Sequence, residues 1–302
     1  SPAARNKGKN HFSISPQYTG ISFDNGHYLG IKILGGYYQI NDRLVLNYGI
    51  ANAESSSGML RNGRSFKLEA DLYTIGLASS FGGNNICGES SHHIGVNYSR
   101  QNTDSNTIIP DPRTSVSDSG NSNSFGLGYL FHTKIGGIRT NSDNQCRSNL
   151  ALGAAFSAGF GESISSIGKK SKPESYSLRL GAGYRISQGR YLYTDLQYGE
   201  YAGRDPTTGI NESIDVYRLF SGVQWQIPHE PGNGFRVFLR GGFVVDMQGK
   251  KSYTLGLGTV LYNSNSLKIG TDFGYQHNMF PEIASEFGGS DLYNLSVRFT
   301  LK

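Results

Sequence analysis

The sequence predicts an all-β protein: a transmembrane antiparallel up-and-down β-barrel of about 12–14 strands, with 14 favoured. Three observations carry this expectation. Apolar and polar residues alternate strictly over many short segments, the polar breaks between them alternate between longer and shorter, and no apolar run is of helix-spanning length. The clearest alternation closes the chain, where Tyr293, Leu295, Val297, Phe299 and Leu301 interleave with Asn294, Ser296, Arg298, Thr300 and Lys302. Successive side chains of a strand point to opposite faces, so this segment has one apolar and one polar face.

The same reading places strands at 28–33, 43–50, 66–81, 93–100, 124–134, 149–160 and 176–186. They continue at 190–198, 214–227, 235–248, 253–262, 267–277 and 293–301. A further strand at 12–23 contains Pro16, which an edge position tolerates because a proline has no N–H to give to a ladder. Around Leu72 and Tyr73 the apolar parity switches, which predicts a β-bulge. The longer breaks (54–65, 101–123, 162–175, 203–213 and 278–290) are rich in Ser, Asn, Asp, Gly and Lys. They alternate with the shorter ones at 41–42, 82–91, 136–148, 187–189, 228–234 and 263–266. In an antiparallel meander successive turns lie at opposite ends, so long loops are expected at one end and short turns at the other.

Composition fits a barrel better than a packed globule. Only 36% of the 302 residues are hydrophobic, against 41 Gly and 19 Tyr. A large dry core takes more aliphatic side chains than this. A helical membrane protein needs about 18 consecutive apolar residues, whereas in a barrel only alternate residues meet lipid. The net charge of +5 is spread without a basic tract, so nucleic acid is not an expected partner. No signal peptide is present, and Ser1-Pro2-Ala3-Ala4 is compatible with an end left by removal of one. Residues 1–10 read as a polar N-terminal extension and residues 11–302 as one barrel domain.

On these alternating strands the chain resembles bacterial outer-membrane β-barrels such as monomeric porins and small-solute channels. The likeness is architectural and spans almost the whole sequence. It implies an outer-membrane location, a lipid surround, and reading of Tyr293-x-Leu295-x-Val297-x-Phe299 by the barrel-assembly machinery. Leu301-Lys302 departs from the aromatic residue that commonly ends such chains. The implied function is passage of small hydrophilic or anionic solutes. The alternative is a structural or secretion-associated barrel, a translocator or export-machine subunit with a secretion-system partner. Residues 1–10 are too short and polar to be the pore-crossing helix of an autotransporter translocator.

No nucleophile elbow, P-loop or zinc-protease motif occurs, so neither catalysis nor a cofactor is expected. His92-His93 lacks a carboxylate or Cys at ligand spacing and reads as structural or interfacial rather than metal-binding. Asp111, Asp118 and Asn121 lack the spacing of a calcium loop and read as solvated. The functional candidates are the charges on the polar parity: Arg179, Arg185, Arg218, Arg236, Arg240, Lys268 and Arg298, with Asp195, Asp246 and Asp272. They line a pore whose basic excess favours anions, or they brace the wall as cross-strand ion pairs, and the two roles are compatible. Cys87 and Cys146 fall in two of the shorter breaks, separated by two strands, and are expected to form a disulfide. Turns two strands apart are roughly 10 Å apart, a gap that turns of this length can close.

Overall fold

Where a strand is bathed by lipid it must hand every backbone N–H and C=O to a neighbour, and the chain meets that demand by closing on itself. The computed structural model describes residues 11–56, 58–59, 65–82, 90–110, 113–133, 150–166, 168, 170–187, 189–204, 211–227, 235–246, 251–277 and 289–301. Within them run fourteen long strands. They are β1 (Phe12–Phe23), β2 (Tyr28–Gln39), β3 (Leu44–Ser55), β4 (Ser65–Gly82), β5 (Ser91–Pro110), β6 (Arg113–Thr133) and β7 (Leu150–Ser165). They continue with β8 (Glu174–Ser187), β9 (Arg190–Arg204), β10 (Asn211–Gln226), β11 (Arg236–Asp246), β12 (Lys251–Asn263), β13 (Leu267–His277) and β14 (Ser290–Leu301). Each pairs antiparallel with the next, and β14 pairs back onto β1, so the wall is closed, as expected, with fourteen strands. Two-residue strands, Gly58–Met59 and Lys170–Ser171, extend the ladder beside β4 and β7. The chain's first ten residues, the expected extension, lie outside the described residues, as do Cys87, Cys146 and Asp111.

The registers fix the barrel's dimensions. Following the rungs once around the wall returns to β1 about fourteen residues further along. A shear of about 14 on fourteen strands implies a tilt of about 35° and a radius of about 13 Å. At that tilt, one residue along a strand and one strand across each change the height by about 2.7 Å. The end where β1 starts and β14 finishes is the terminal mouth, and the opposite end is the distal mouth.

Heights assigned in this way resolve the outer face into a band. Outward positions from Leu301 up to Tyr293 on β14, or from Ile186 up to Leu178 on β8, are apolar and exposed, a belt about 25 Å tall around the wall. Among the described residues the outward-facing Asp, Glu, Lys and Arg keep to its edges or beyond, with Arg190 at the lower edge and Lys32 at the upper. Its hydroxyls are satisfied locally: Thr194 donates to the Phe220 carbonyl at 3.0 Å, and Thr259 and Thr271 bond each other at 2.8 Å. Aromatic pairs border the belt. The distal rim carries Tyr98–Phe125 (5.2 Å between centroids), Tyr198–Tyr217 (4.7 Å) and Tyr275–Tyr293 (5.2 Å). At the terminal rim His92 stacks on Phe81 and shares a 2.6 Å hydrogen bond with Tyr129, while Arg190 lies over Trp225. Amphipathic rings of this kind settle at membrane interfaces.

Three sequence expectations are corrected. The polar stretch 101–123, read as a long loop, is largely strand: β5 and β6 run on to Pro110 and Arg113. These strands leave the lipid belt, and outward positions above it turn polar (Arg100, Asn102, Asp104, Asn121, Asn123), so the alternation that marks a strand fades. Loop length is not segregated by end. The connection at 111–112 is short at the distal mouth, and the longest, 134–149, lies at the terminal mouth. No bulge occurs at Leu72 and Tyr73, because β4 keeps one register against both neighbours. The parity switch there reflects a change of surroundings. Beyond the belt Lys67, Glu69 and Asp71 meet water outside, while Phe66, Leu68 and Leu72 turn into the lumen. Register does shift elsewhere, between Arg185 and Ser187 and between Val260 and Tyr262.

The abundance of Gly and Tyr has a shared cause. Tyr48 is the rung partner of Gly36, and Tyr193 that of Gly222. In each case the phenol lies across the glycine, in space that a Cβ would occupy. Tyr48 lies on the outer face and Tyr193 on the lumen face, and each ring laid flat on the wall covers exposed backbone. Leu255, 61% exposed near mid-belt, tests the lipid assignment. Leu255→Arg should lower unfolding stability in vesicles by about 2–4 kcal/mol, whereas Ser122→Arg in the lumen should change it by less than about 1 kcal/mol. Urea titration of the reconstituted protein reads both.

Candidate functional site: the lumen

The lumen is built from inward parities, and it is lopsided. From β3 to β8 the inward positions near mid-belt are mostly small: Gly49, Gly76, Gly95, Gly126, Gly128, Gly153, Ala155 and Gly181. From β8 to β14 the wall carries the charges. All ten predicted residues face inward, because alternation is a local property that the closed register preserves.

The structure separates these ten by height. Near mid-belt they pair. Arg179 meets Asp195 at 2.5 Å with its guanidinium over the Phe220 ring, 5.6 Å from the centroid. Arg240 meets Asp272 at 2.7 Å and donates from Nε to Gln224 Oε1 at 2.9 Å. Higher, at the distal edge of the belt, Arg218 is the rung partner of Asp246. These pairs match the bracing reading, and each is part-exposed to the lumen, so a double-mutant cycle should assign it about 1 kcal/mol or less. Arg185, Arg236 and Lys268 sit lower, at the terminal mouth, and Arg298 stands about 8 Å above Lys268, just below the Arg240–Asp272 pair. Arg185 lies over Tyr191 at 6.0 Å.

Opposite the charged wall is a recess of about 330 Å³, floored by Gly95, Gly128, Gly153 and Gly181 and bordered by Arg179 and Asp195. Its floor is backbone because the glycines there have no side chains to fill it.

Sequence reasoning missed two features. Toward the distal mouth the β1, β2 and β4 wall is apolar inside: Ile21 (2% exposed), Leu29, Ile31, Ile33, Leu68 and Leu72 face the lumen. His27, in the turn at 24–27, folds between Phe23 and Phe66 there, at ring distances of 5.9 and 6.1 Å. That turn is tied to the start of β14 by Asp24, whose carboxylate accepts the Gly289 N–H at 2.7 Å. The signal was present in the Ile-Lys-Ile run at 31–33, where Lys32 holds the outward position at the belt's edge. The second feature is a histidine pair at the terminal mouth, His93 and His132, with rings edge-on at 5.4 Å.

A lipid-height apolar belt between aromatic rims, around a polar and charged lumen, defines a transmembrane β-barrel of the outer-membrane class. No family model and no curated protein sequence matches the chain. Solved structures do match it. One is a FadL homologue from Pseudomonas aeruginosa (TM-score 0.56, 12% identity, 97% of this chain and 90% of that one). Another is the toluene transporter TbuX of Ralstonia pickettii (0.54, 11%, 99% and 90%). A third is the monoaromatic hydrocarbon channel CymD (0.50, 10%, 98% and 89%). At these identities the likeness is one of fold.

The Tyr193–Gly222 pair yields a test of the lumen's construction. Gly222→Val should push the Tyr193 ring off the wall and cost about 1–3 kcal/mol, measured by urea unfolding in vesicles. Gly222→Val with Tyr193→Ala should recover part of that loss.

Proposed function

We propose that the protein is an outer-membrane channel whose lumen passes small hydrophilic solutes, with a preference for anions. The observation that carries this reading is the small-residue wall of β3–β8. In a barrel of about 13 Å radius, side chains of Gly and Ala leave a continuous water path beside the ion pairs of the opposite wall. The mid-belt pairs are near neutrality, so the preference for anions rests on the four cations toward the terminal mouth.

A second reading is supported by the apolar distal wall around Ile21, Leu29 and Leu68: a route for small apolar molecules, the kind of solute named for the hydrocarbon channels that share the fold. The two readings diverge in a planar bilayer. The hydrophilic channel gives steady single-channel current with a reversal potential on the anion side in a salt gradient. A route for apolar molecules gives little current and saturable uptake of an aromatic hydrocarbon into proteoliposomes. Ala155→Trp, which fills the recess, should lower conductance by on the order of tens of per cent if ions pass beside the small wall. Unchanged conductance would place the ion path elsewhere.

A further inference from the structure

The terminal end of the lumen carries more than its four permanent cations. His93 on β5 and His132 on β6 face the lumen there, at the heights of Arg185 and Arg298, and His11 stands at the foot of β1 on the inward parity. The seven groups are spread around the circumference on β1, β5, β6, β8, β11, β13 and β14. Among the described lumen-facing strand residues no carboxylate lies at their level. Asp272, the lowest, stands on the strand beside Arg298 and about 3 Å higher, where it is paired with Arg240. The strands packed against the histidines bring no acid either. β4 offers Ala78 and Ser80, β7 offers Ala151, and the turn between β2 and β3 contributes one charge of each sign through Asp42 and Arg43. His93 and His132 have few local partners: Ser91 Oγ is 3.5 Å from His93 Nε2, and His132 Nε2 has no hydrogen-bond partner.

We propose that this basic ring is the channel's anion-binding filter, and that protonation of His11, His93 and His132 sets its strength. The ligand class is a small inorganic anion such as chloride or phosphate. The inference rests on the channel reading above and places selectivity at one mouth rather than at mid-belt. Four charges are permanent, whereas an imidazole gains its charge only as the pH falls. Carboxylates, with ordinary values near 4, stay ionised from about pH 8 to about pH 5.5. Acidification therefore adds positive charge to a ring whose nearest described lumen-facing strand carboxylate, Asp272, is already paired with Arg240, and anion preference rises as pH falls. Groups about 10 Å from a passing ion, screened at 0.1 M salt, change the chloride-to-potassium permeability ratio about two- to threefold.

The experiment is reversal-potential measurement on the whole reconstituted protein in a potassium chloride gradient at pH 8.0 and pH 5.5. The wild type is compared with H11Q/H93Q/H132Q. The expected result is a two- to threefold rise in anion preference on acidification in the wild type and a flat profile in the triple variant. The variant's own current shows that its barrel has formed. His92, His229 and His277 remain in the variant, so a profile still steep there would overturn the assignment to the ring. Anion-selective current that ignores pH in the wild type would overturn the histidine proposal and leave the channel reading standing. Absence of current from protein with the compact, heat-modifiable gel mobility of a closed barrel would overturn both.

Discussion

Hydrocarbon offers a peptide group no hydrogen-bond partner, and the architecture follows from that one deprivation. Open sheets have two edges, each a row of orphaned donors and acceptors, so the sheet must close. Once closed, strand number and shear fix the radius, and the radius fixes how much of the interior side chains can fill. Here the wall from β3 to β8 presents backbone and methyl groups to that interior. The space left beside it is a consequence of closure combined with glycine content.

Charge is sorted by the same constraint. An ionised group on the outer face inside the belt meets lipid, so the described charges there lie at the rims, where Lys32, Arg100, Asp291 and Arg190 meet headgroups or water. Inside, the wet lumen tolerates charge at any height. The chain nevertheless pairs its charges at mid-belt and clusters single-sign groups at one mouth. Ion pairs hold long side chains against the wall, which keeps the middle of the lumen clear.

Much of this was legible in the sequence, and the failures have physical causes. The strand count, the wall order and the inward direction of Arg179, Arg240 and Asp272 follow from alternation, which each strand carries on its own. Legibility ended where the surroundings changed. Above the belt β5 and β6 are polar outside and mostly polar inside, so 101–123 lost the contrast that marks a strand and passed for a loop. On β4 the contrast did not vanish but inverted, since Phe66 and Leu68 line an apolar part of the lumen while Lys67 and Glu69 meet water. An inverted contrast imitates a slip of register. The gathering of His11, His93, His132 and Arg298 toward one mouth is not a local property. It depends on shear, which needs every register around the wall.

The seam between the first and last strands is the one joint whose partners lie at opposite ends of the chain. Its rungs run from Phe12–Leu301 to Phe23–Ser290 but skip Ser15 and Pro16, passing from Ile14–Phe299 to Gln17–Ser296. On the other side Pro16 still sits opposite Leu34, so β1 keeps its place in the sheet. Until β14 has been made and laid down, that flank of β1 is a bare edge, open to pairing with any extended segment of another chain. A proline at its centre withholds a donor and interrupts the template, which is how soluble sheets protect exposed edges. The finished barrel retains a short gap in its closing ladder as the trace of a strand that spends its early existence as an edge, guarded against the wrong partner.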